Sequence, residues 1–315
     1  MHNQIQSFFL HHDLYFKSQY GFRASHSTEL AGIELIDRVI SKMDKGEIPI
    51  NIYVDLSKAF DTLDHKILLH KLGCYGFNER ALSLMENYLE DRKQYVDYNG
   101  NYSKCLTVRM GVPQGSILGP LLFLIYINDI IYSSTHFYPI VYADDTTLSA
   151  TLNTFKNNNS DDLCANINIE LSKVYCWLEL NKLSLNLKKT KGMIFHSTHK
   201  KPETPSVRIN NTQIEFVEHF NFLGVEIDKN LTWNQQIRKF STKIAKTIGM
   251  LNKLKYYIPR NTLVTLYNSL ILPHLTYGIL LWGTKANKLA KLQKKAIRII
   301  INAKYNSHMS HFLNS

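Results

Sequence analysis

Aspartate and glutamate are missing altogether from the last 87 residues of this 315-residue chain. All 26 of them fall within residues 1–228, beside 22 Lys and Arg, so that stretch carries −4 while residues 229–315 carry +15. A solvated basic face accounts for most short charge runs, but an acid-free stretch this long points to a polyanion, and nucleic acid is the expected partner. Cysteine is scarce too. Cys74, Cys105, Cys164 and Cys176 lie far apart without a C-x-x-C pair, so neither a zinc site nor a disulfide framework is indicated. No apolar run reaches the length of about 18 residues that a membrane span needs. The nearest, Ile117 to Ile131, is interrupted by Gly119, Pro120, Asn128 and Asp129. The opening MHNQIQSFFLHHDLYFK lacks the basic start, apolar middle and small-residue cleavage site of a secretory signal, and an intracellular location is expected. What remains is ordinary globular composition, 44% hydrophobic and 20% charged.

Apolar positions at Ile33, Ile36, Val39, Ile40 and Met43 recur at helical spacing until Gly46 and Pro49 stop them. Ile50, Ile52 and Val54 then alternate with Asn51 and Tyr53, a strand that ends on Asp55. Helices are predicted over 65–72 and 79–91, and QYVDYNGNYSKCLTV reads as a hairpin turning at Asn99-Gly100. Gly111 to Gly115 is a loop, and Ile117 to Ile131, apolar all round, is a helix buried in a core. FYPIVYADDTTLSA gives two strands joined through Ala143-Asp144-Asp145. A polar tract, Asn157 to Ser160, precedes a helix over 161–180, and short strands follow at KGMIFH and over 207–227. After Trp233 only helices are predicted, over 234–256, 260–282 and 286–302, separated by Pro259 and Gly283. The chain is therefore α+β with a helical appendage.

Two constellations carry chemistry: Asp55, with Phe60-Asp61 shortly after it, and Asp144-Asp145. Singly, each is explained by the preference of Asp for turns. Together they differ, because a carboxylate ending one apolar strand and a pair between two others can converge on one sheet edge. Like charges repel there unless a cation neutralises them. Hard oxygen ligands of this kind suit magnesium, which keeps waters and shares its coordination with substrate phosphates.

These residues sit in segments that resemble a known family. VDLSKAFDTLDH resembles motif A of reverse transcriptases, RMGVPQGSILGPLLFLIYINDI motif B, and VYADDTTLSA motif C. LSLNLKKTKGMIF is similar to motif D, FNFLGVEID to the primer-grip hairpin, and SQYGFRASHSTELA to the last finger segment before the palm. SLILPHLTYGILLWG and KLAKLQKKAIRII resemble the helices after the palm in LINE-type elements, and the form of motif B is closest to jockey-type non-LTR retrotransposons. The resemblance implies a polymerase palm, an antiparallel sheet with flanking helices. It would be preceded by a finger remnant over 1–46, would occupy 47–229 with the primer-grip hairpin, and would be followed by an all-helical basic thumb-like region over 230–315. It further implies RNA-templated extension of a DNA primer from deoxynucleoside triphosphates. Asp55, Asp144 and Asp145 would hold two Mg2+ ions, with Mn2+ able to substitute. Phe60 would be the sugar gate, its ring facing the nucleotide and rejecting a 2′-hydroxyl by clash. Gln114 would touch the nascent base pair or template. Lys189, with Lys188 and Lys191 as neighbours, would assist proton transfer to pyrophosphate, and Arg23 would meet the triphosphate. A nuclear location follows only from target-primed synthesis on chromosomal DNA.

A complete element of this kind carries further finger strands upstream, with an Arg-Pro-Ile-Ser segment, and the chain is expected to be a fragment or decayed copy with its catalytic core intact. Neither an endonuclease domain, a zinc knuckle nor an RNase H-like carboxylate set is recognisable in it. Two alternatives stay open: an RNA-directed RNA polymerase, against which Phe60 argues, and a nucleic-acid-binding remnant that no longer polymerises.

Overall fold

The computed structural model describes residues 1–155, 163–198 and 202–303. The polar tract Asn157 to Ser160 and residues 304–315 lie outside the described residues. The chain divides into two units, Met1–Val217 and Glu218–Ser315.

The first unit opens with α1 (His2–His11), for which the sequence reading has no counterpart, and α2 (Thr28–Asp44), whose N-cap Ser27 accepts from the backbone of Leu30. β1 (Pro49–Val54) and β2 (Leu56–Ser57) flank Asp55. α3 (His65–Cys74) and α4 (Glu79–Leu89), capped by Asp64 and Asn78, lead to a hairpin of β3 (Lys93–Gln94), β4 (Asp97–Tyr98), β5 (Asn101–Tyr102) and β6 (Leu106–Thr107). Next comes α5 (Leu118–Ile127), prolonged by a 3-10 turn, Asn128–Ser133. Seven consecutive residues of this helix, Leu121 to Ile127, are buried, as its all-round apolar character requires. β7 (Tyr138–Tyr142) and β8 (Asp145–Thr151) follow, then α6 (Leu152–Phe155), α7 (Leu163–Leu180), β9 (Ser184–Leu185), β10 (Lys191–Ile194), β11 (Arg208–Ile209), β12 (Thr212–Gln213) and β13 (Glu215–Phe216).

Five of these strands form one sheet in the order β13-β10-β1-β8-β7. β1 is central, antiparallel to both neighbours, and all six of its residues are buried. The alternation read in the sequence is nonetheless real. Ile50, Ile52 and Val54 join the large core that contains α5, whereas Tyr53 lies on the opposite face, outside that core. Helix α2, which contacts β1 and β7, packs against the sheet with its own buried Leu35, Ile36 and Val39.

The second unit starts with the hairpin β14 (His219–Phe222) and β15 (Val225–Asp228), which thus groups with the helices rather than with the five-stranded sheet. α8 (Asn234–Leu254) follows a turn built on buried Asp228, which accepts hydrogen bonds from the backbones of Asn230, Thr232 and Trp233. The helix predicted over 260–282 is three: α9 (Arg260–Leu270), α10 (Leu272–Thr276) and α11 (Ile279–Trp282). Pro273 has no N–H to continue the ladder of α9. Tyr277 leaves helical geometry so that its hydroxyl donates to the Leu223 carbonyl, while the fully buried Trp282 indole donates to the Tyr277 carbonyl. α12 (Asn287–Ile300) closes the unit against α8.

Candidate active site

β1 pairs with β8 as far as Val54↔Thr146, so Asp55 is the residue that follows the last rung on β1 and Asp145 the one that precedes it on β8. β7 and β8 are joined by two residues, Ala143 and Asp144, with Tyr142 paired to Asp145. Asp144 therefore occupies the turn while Asp145 begins a strand. Ala143 takes φ of 56°, a left-handed conformation that costs a side-chain-bearing residue energy and is stored where the surroundings over-determine it. Those surroundings include Gly21. Its chain lies beside β7, with the Tyr20 N–H on the Val141 carbonyl at 2.8 Å, and a Cβ on Gly21 would meet the Ala143 nitrogen at 2.3 Å.

Asp145 feels the other two carboxylates. Asp145 has its pKa pushed up by surrounding protein, although its surface remains open to solvent, and further by the charges of Asp144 and Asp55. Among the described residues no three His, Cys, Asp or Glu side chains stand as a ready-made cage. Crowded carboxylates of this kind still suit a hard cation bound through one or two protein oxygens and completed by water and phosphate.

Asp55 is also held by the loop after β9. The Asn186 N–H donates to its carbonyl at 2.8 Å, and β2 pairs with β9 through Leu56↔Leu185. This brings Lys189 Nζ within 3.8 Å of Asp55 Oδ2, both side chains remaining solvated. Of the lysines at 188, 189 and 191, Lys191 is paired with Glu215 instead.

Phe60 is half-buried. Its ring stacks on fully buried Phe123 at 4.5 Å between centroids, and meets exposed Phe22 edge-on at 6.0 Å. The expectation of a ring turned from the core is corrected to this extent: one face is packed, because Phe123 of α5 lies directly beneath it. Gln114 is exposed, and its amide donates to Asp61 Oδ1 at 2.8 Å. Its loop is fastened to the chain after Asp55 by the Gly111 N–H on the Leu63 carbonyl and the Val112 N–H on the Phe60 carbonyl. Gly111, at φ 77°, lies so close that a Cβ would meet the Asp61 carbonyl oxygen at 2.6 Å. Arg23 is placed differently. Its guanidinium donates to the carbonyls of Phe16 and Gln19 and lies over the Tyr15 ring, so in this structure it braces its own segment.

The structure thus brings the charges of Asp55 and Asp144 to bear on Asp145 and sets Lys189 beside Asp55, fastens the Gln114 loop to the chain around Phe60, and leaves Arg23 engaged elsewhere. Gly21 and Phe22 enter the site unforeseen, whereas Asp61 already belonged to the first constellation. Nothing in the QYGF sequence itself singles them out, since Gly21 meets Ala143 and Phe22 meets Phe60, both far away in the chain.

Residues 1–227 match the family model for reverse transcriptase (RNA-dependent DNA polymerase). The chain is 27% identical over 311 residues to the RNA-directed DNA polymerase from mobile element jockey of Drosophila melanogaster, covering 91% of this chain and 32% of that protein. It is 26% identical over 304 residues to the probable RNA-directed DNA polymerase from transposon BS of the same fly, covering 91% and 33%. The chain therefore spans about a third of the length of these curated relatives. Among solved structures, apo telomerase from Candida tropicalis shares the fold in outline, with a TM-score of 0.50 and 12% identity, over 95% of this chain and 53% of that one. No described helix is long and apolar enough to cross a membrane. The motif order, the α+β polymerase-like fold and the family match agree: this chain belongs to the reverse transcriptase family.

Proposed function

We propose that this chain extends a DNA primer on an RNA template from deoxynucleoside triphosphates, with Asp55, Asp144 and Asp145 as the ligands of two magnesium ions. The observation that carries the reading is that the β1–β8 pairing runs out at Val54↔Thr146, next to Asp55 and Asp145, and that Asp145 feels the charges of both Asp144 and Asp55. Bound ions, for which manganese could substitute, would activate the primer 3′-hydroxyl and neutralise the leaving pyrophosphate. Lys189, beside Asp55, would supply a cation and a proton on the pyrophosphate side, and is favoured over Lys191 because the latter is already paired. Phe60, braced on Phe123, would present a ring edge that excludes a 2′-hydroxyl. Gln114, steadied by Asp61, would meet the template or the new base pair. Arg23 would have to exchange two backbone carbonyls for a phosphate to act on the triphosphate. Residues 47–229 would work as the palm with its primer grip, residues 1–46 as a finger remnant, and the basic helices over 230–315 as a thumb-like duplex grip. Action in the nucleus would follow if the element inserts by target-primed synthesis.

Primer extension on a homopolymer RNA template tests this, with deoxy- and ribonucleotides offered separately. Extension with deoxynucleotides is expected, lost at least about 100-fold in Asp55→Ala and Asp144→Ala, with ribonucleotides admitted only by Phe60→Ala. Duplex binding without extension would instead identify a binding remnant, and ribonucleotide extension by the unaltered chain an RNA polymerase.

A further inference from the structure

The hairpin of residues 92–109 has no part in the reading above. Tyr95, Tyr98 and Tyr102 expose 58%, 74% and 66% of their surface, and Tyr95 meets Tyr102 edge-on at 5.5 Å. An isolated hairpin is barely stable alone and gains nothing by turning aromatic rings to water. Its charge is also out of keeping with its surroundings. Arg92, Lys93, Lys104 and Arg109 face a single acid, Asp97, within a stretch of chain that is otherwise net acidic. The base of the hairpin lines an open groove of about 1000 Å³ whose walls carry Lys58, Arg92, Lys93 and Arg109 against the single acid Asp61, together with Gln114. Arg92 is anchored there by Nη2 on the Gly111 carbonyl at 3.1 Å.

We propose that this hairpin is a stacking platform for the unpaired template strand, whose phosphates follow the basic groove toward Gln114. The proposal rests on the polymerase reading and adds to it where the single strand runs. Exposed rings interleaved with cations are the arrangement by which single strands are held without sequence preference, each ring taking the face of an unstacked base while lysine and arginine follow the backbone. A duplex presents no free base faces, so it would use the cations and leave the rings idle. A second copy of this chain or another protein could also use the exposed Val96 and Leu106, but Asp97, Asn99, Asn101, Ser103 and Lys104 break up the apolar cover, and the test separates the two occupants.

The test compares equilibrium binding of two template–primers by the whole chain, one blunt and one with a template overhang of about 10 nucleotides, within the span a single-strand groove covers. Tyr98→Ala and Tyr102→Ala are each expected to weaken binding of the overhanging substrate by between about fivefold and about a hundredfold, and to leave the blunt duplex unchanged. Tyr98→Phe and Tyr102→Phe should retain affinity, which separates stacking from damage to the hairpin. Lys93→Gln with Arg109→Gln should flatten the salt dependence for the overhanging substrate. Equal affinity of the unaltered chain and the two alanine variants for the overhang would overturn the proposal, as would an equal loss on both substrates. Loss of self-association with nucleic-acid affinity unchanged would overturn it too, and assign the surface to a second copy. Primer extension by the unaltered chain on the same overhanging substrate is scored separately. Extension indifferent to the hairpin variants sinks the platform alone, and ring-dependent binding without extension sinks the polymerase reading alone.

Discussion

A carboxylate that starts a strand next to two others is a destabilising element until something positive arrives. Asp145 is such a group, its pKa held above the usual 3.8 by surrounding protein and by Asp144 and Asp55. For an acid whose folded pKa is raised, the folded state is favoured by the proton. Stability is thus lost as pH rises from 3.8 through the raised value, and the penalty is fully present above it. Asp145→Asn should accordingly melt higher than the unaltered chain in chelator at pH 7. Magnesium should reverse the order: at tenfold excess over Kd a ligand adds about 1.4 kcal/mol, and the variant should gain less of it. Calorimetric scans with chelator and with magnesium check this, and identical metal-induced shifts would remove Asp145 from the ligand set. At this scale the aspartates were legible because each sits where an apolar run breaks off. The preference for Lys189 over Lys191 was not legible, since it depends on the Asn186 N–H meeting the Asp55 carbonyl and on the Lys191–Glu215 pair. Gly21 was hidden for a related reason: its constraint is Ala143, far away in sequence.

Elements place these residues, and one fastening is decisive for β7, the strand that delivers the Ala143-Asp144 turn. Glu170 of α7, its side chain only 5% exposed, accepts from Ser134 Oγ at 2.5 Å and the Thr135 N–H at 3.1 Å, pairs with Lys173, and stands 3.3 Å from His136 Nδ1. Burial alone would raise its pKa, but Lys173 and these donors outweigh it and hold the carboxyl at about 2, against an ordinary 4.5. A depressed acid stabilises the fold above its unfolded pKa, here by about 3 kcal/mol. That contribution is lost as pH falls from 4.5 through about 2. Urea unfolding of Glu170→Gln should therefore show a deficit of about that size at pH 7, shrinking as the pH approaches about 3. A deficit independent of pH would mean that packing, not charge, ties α7 to this loop. Element types were largely readable from periodicity. The predicted helix over 260–282 was the exception, because its breaks depend on where Tyr277 and Trp282 find partners.

For the whole molecule, charge is distributed as the sequence implied. In α12, Leu289, Ala296 and Ile300 are buried while Lys288, Lys291, Lys294 and Lys295 are exposed. If these lysines meet duplex phosphates, log affinity falls with log salt at about −0.9 per contact on B-form DNA. Replacing the four by glutamine should reduce the slope by up to about 3.6 units, with little dependence on base sequence. An unchanged slope in a salt titration would leave the lysines as solubilising charge. The segment that crowds the Ala143 turn has a consequence for the sheet as a whole. β7 is an edge strand, and an edge strand is an open template for a neighbour's backbone. Here Pro139 has no N–H to offer, and Val141 has both backbone groups taken, its N–H by the Ser18 carbonyl at 2.9 Å and its carbonyl by Tyr20. The same short stretch that shapes the candidate site thereby blocks strand-to-strand joining of one copy to another, so a chain that fails to dock it exposes its β7 edge to aggregation.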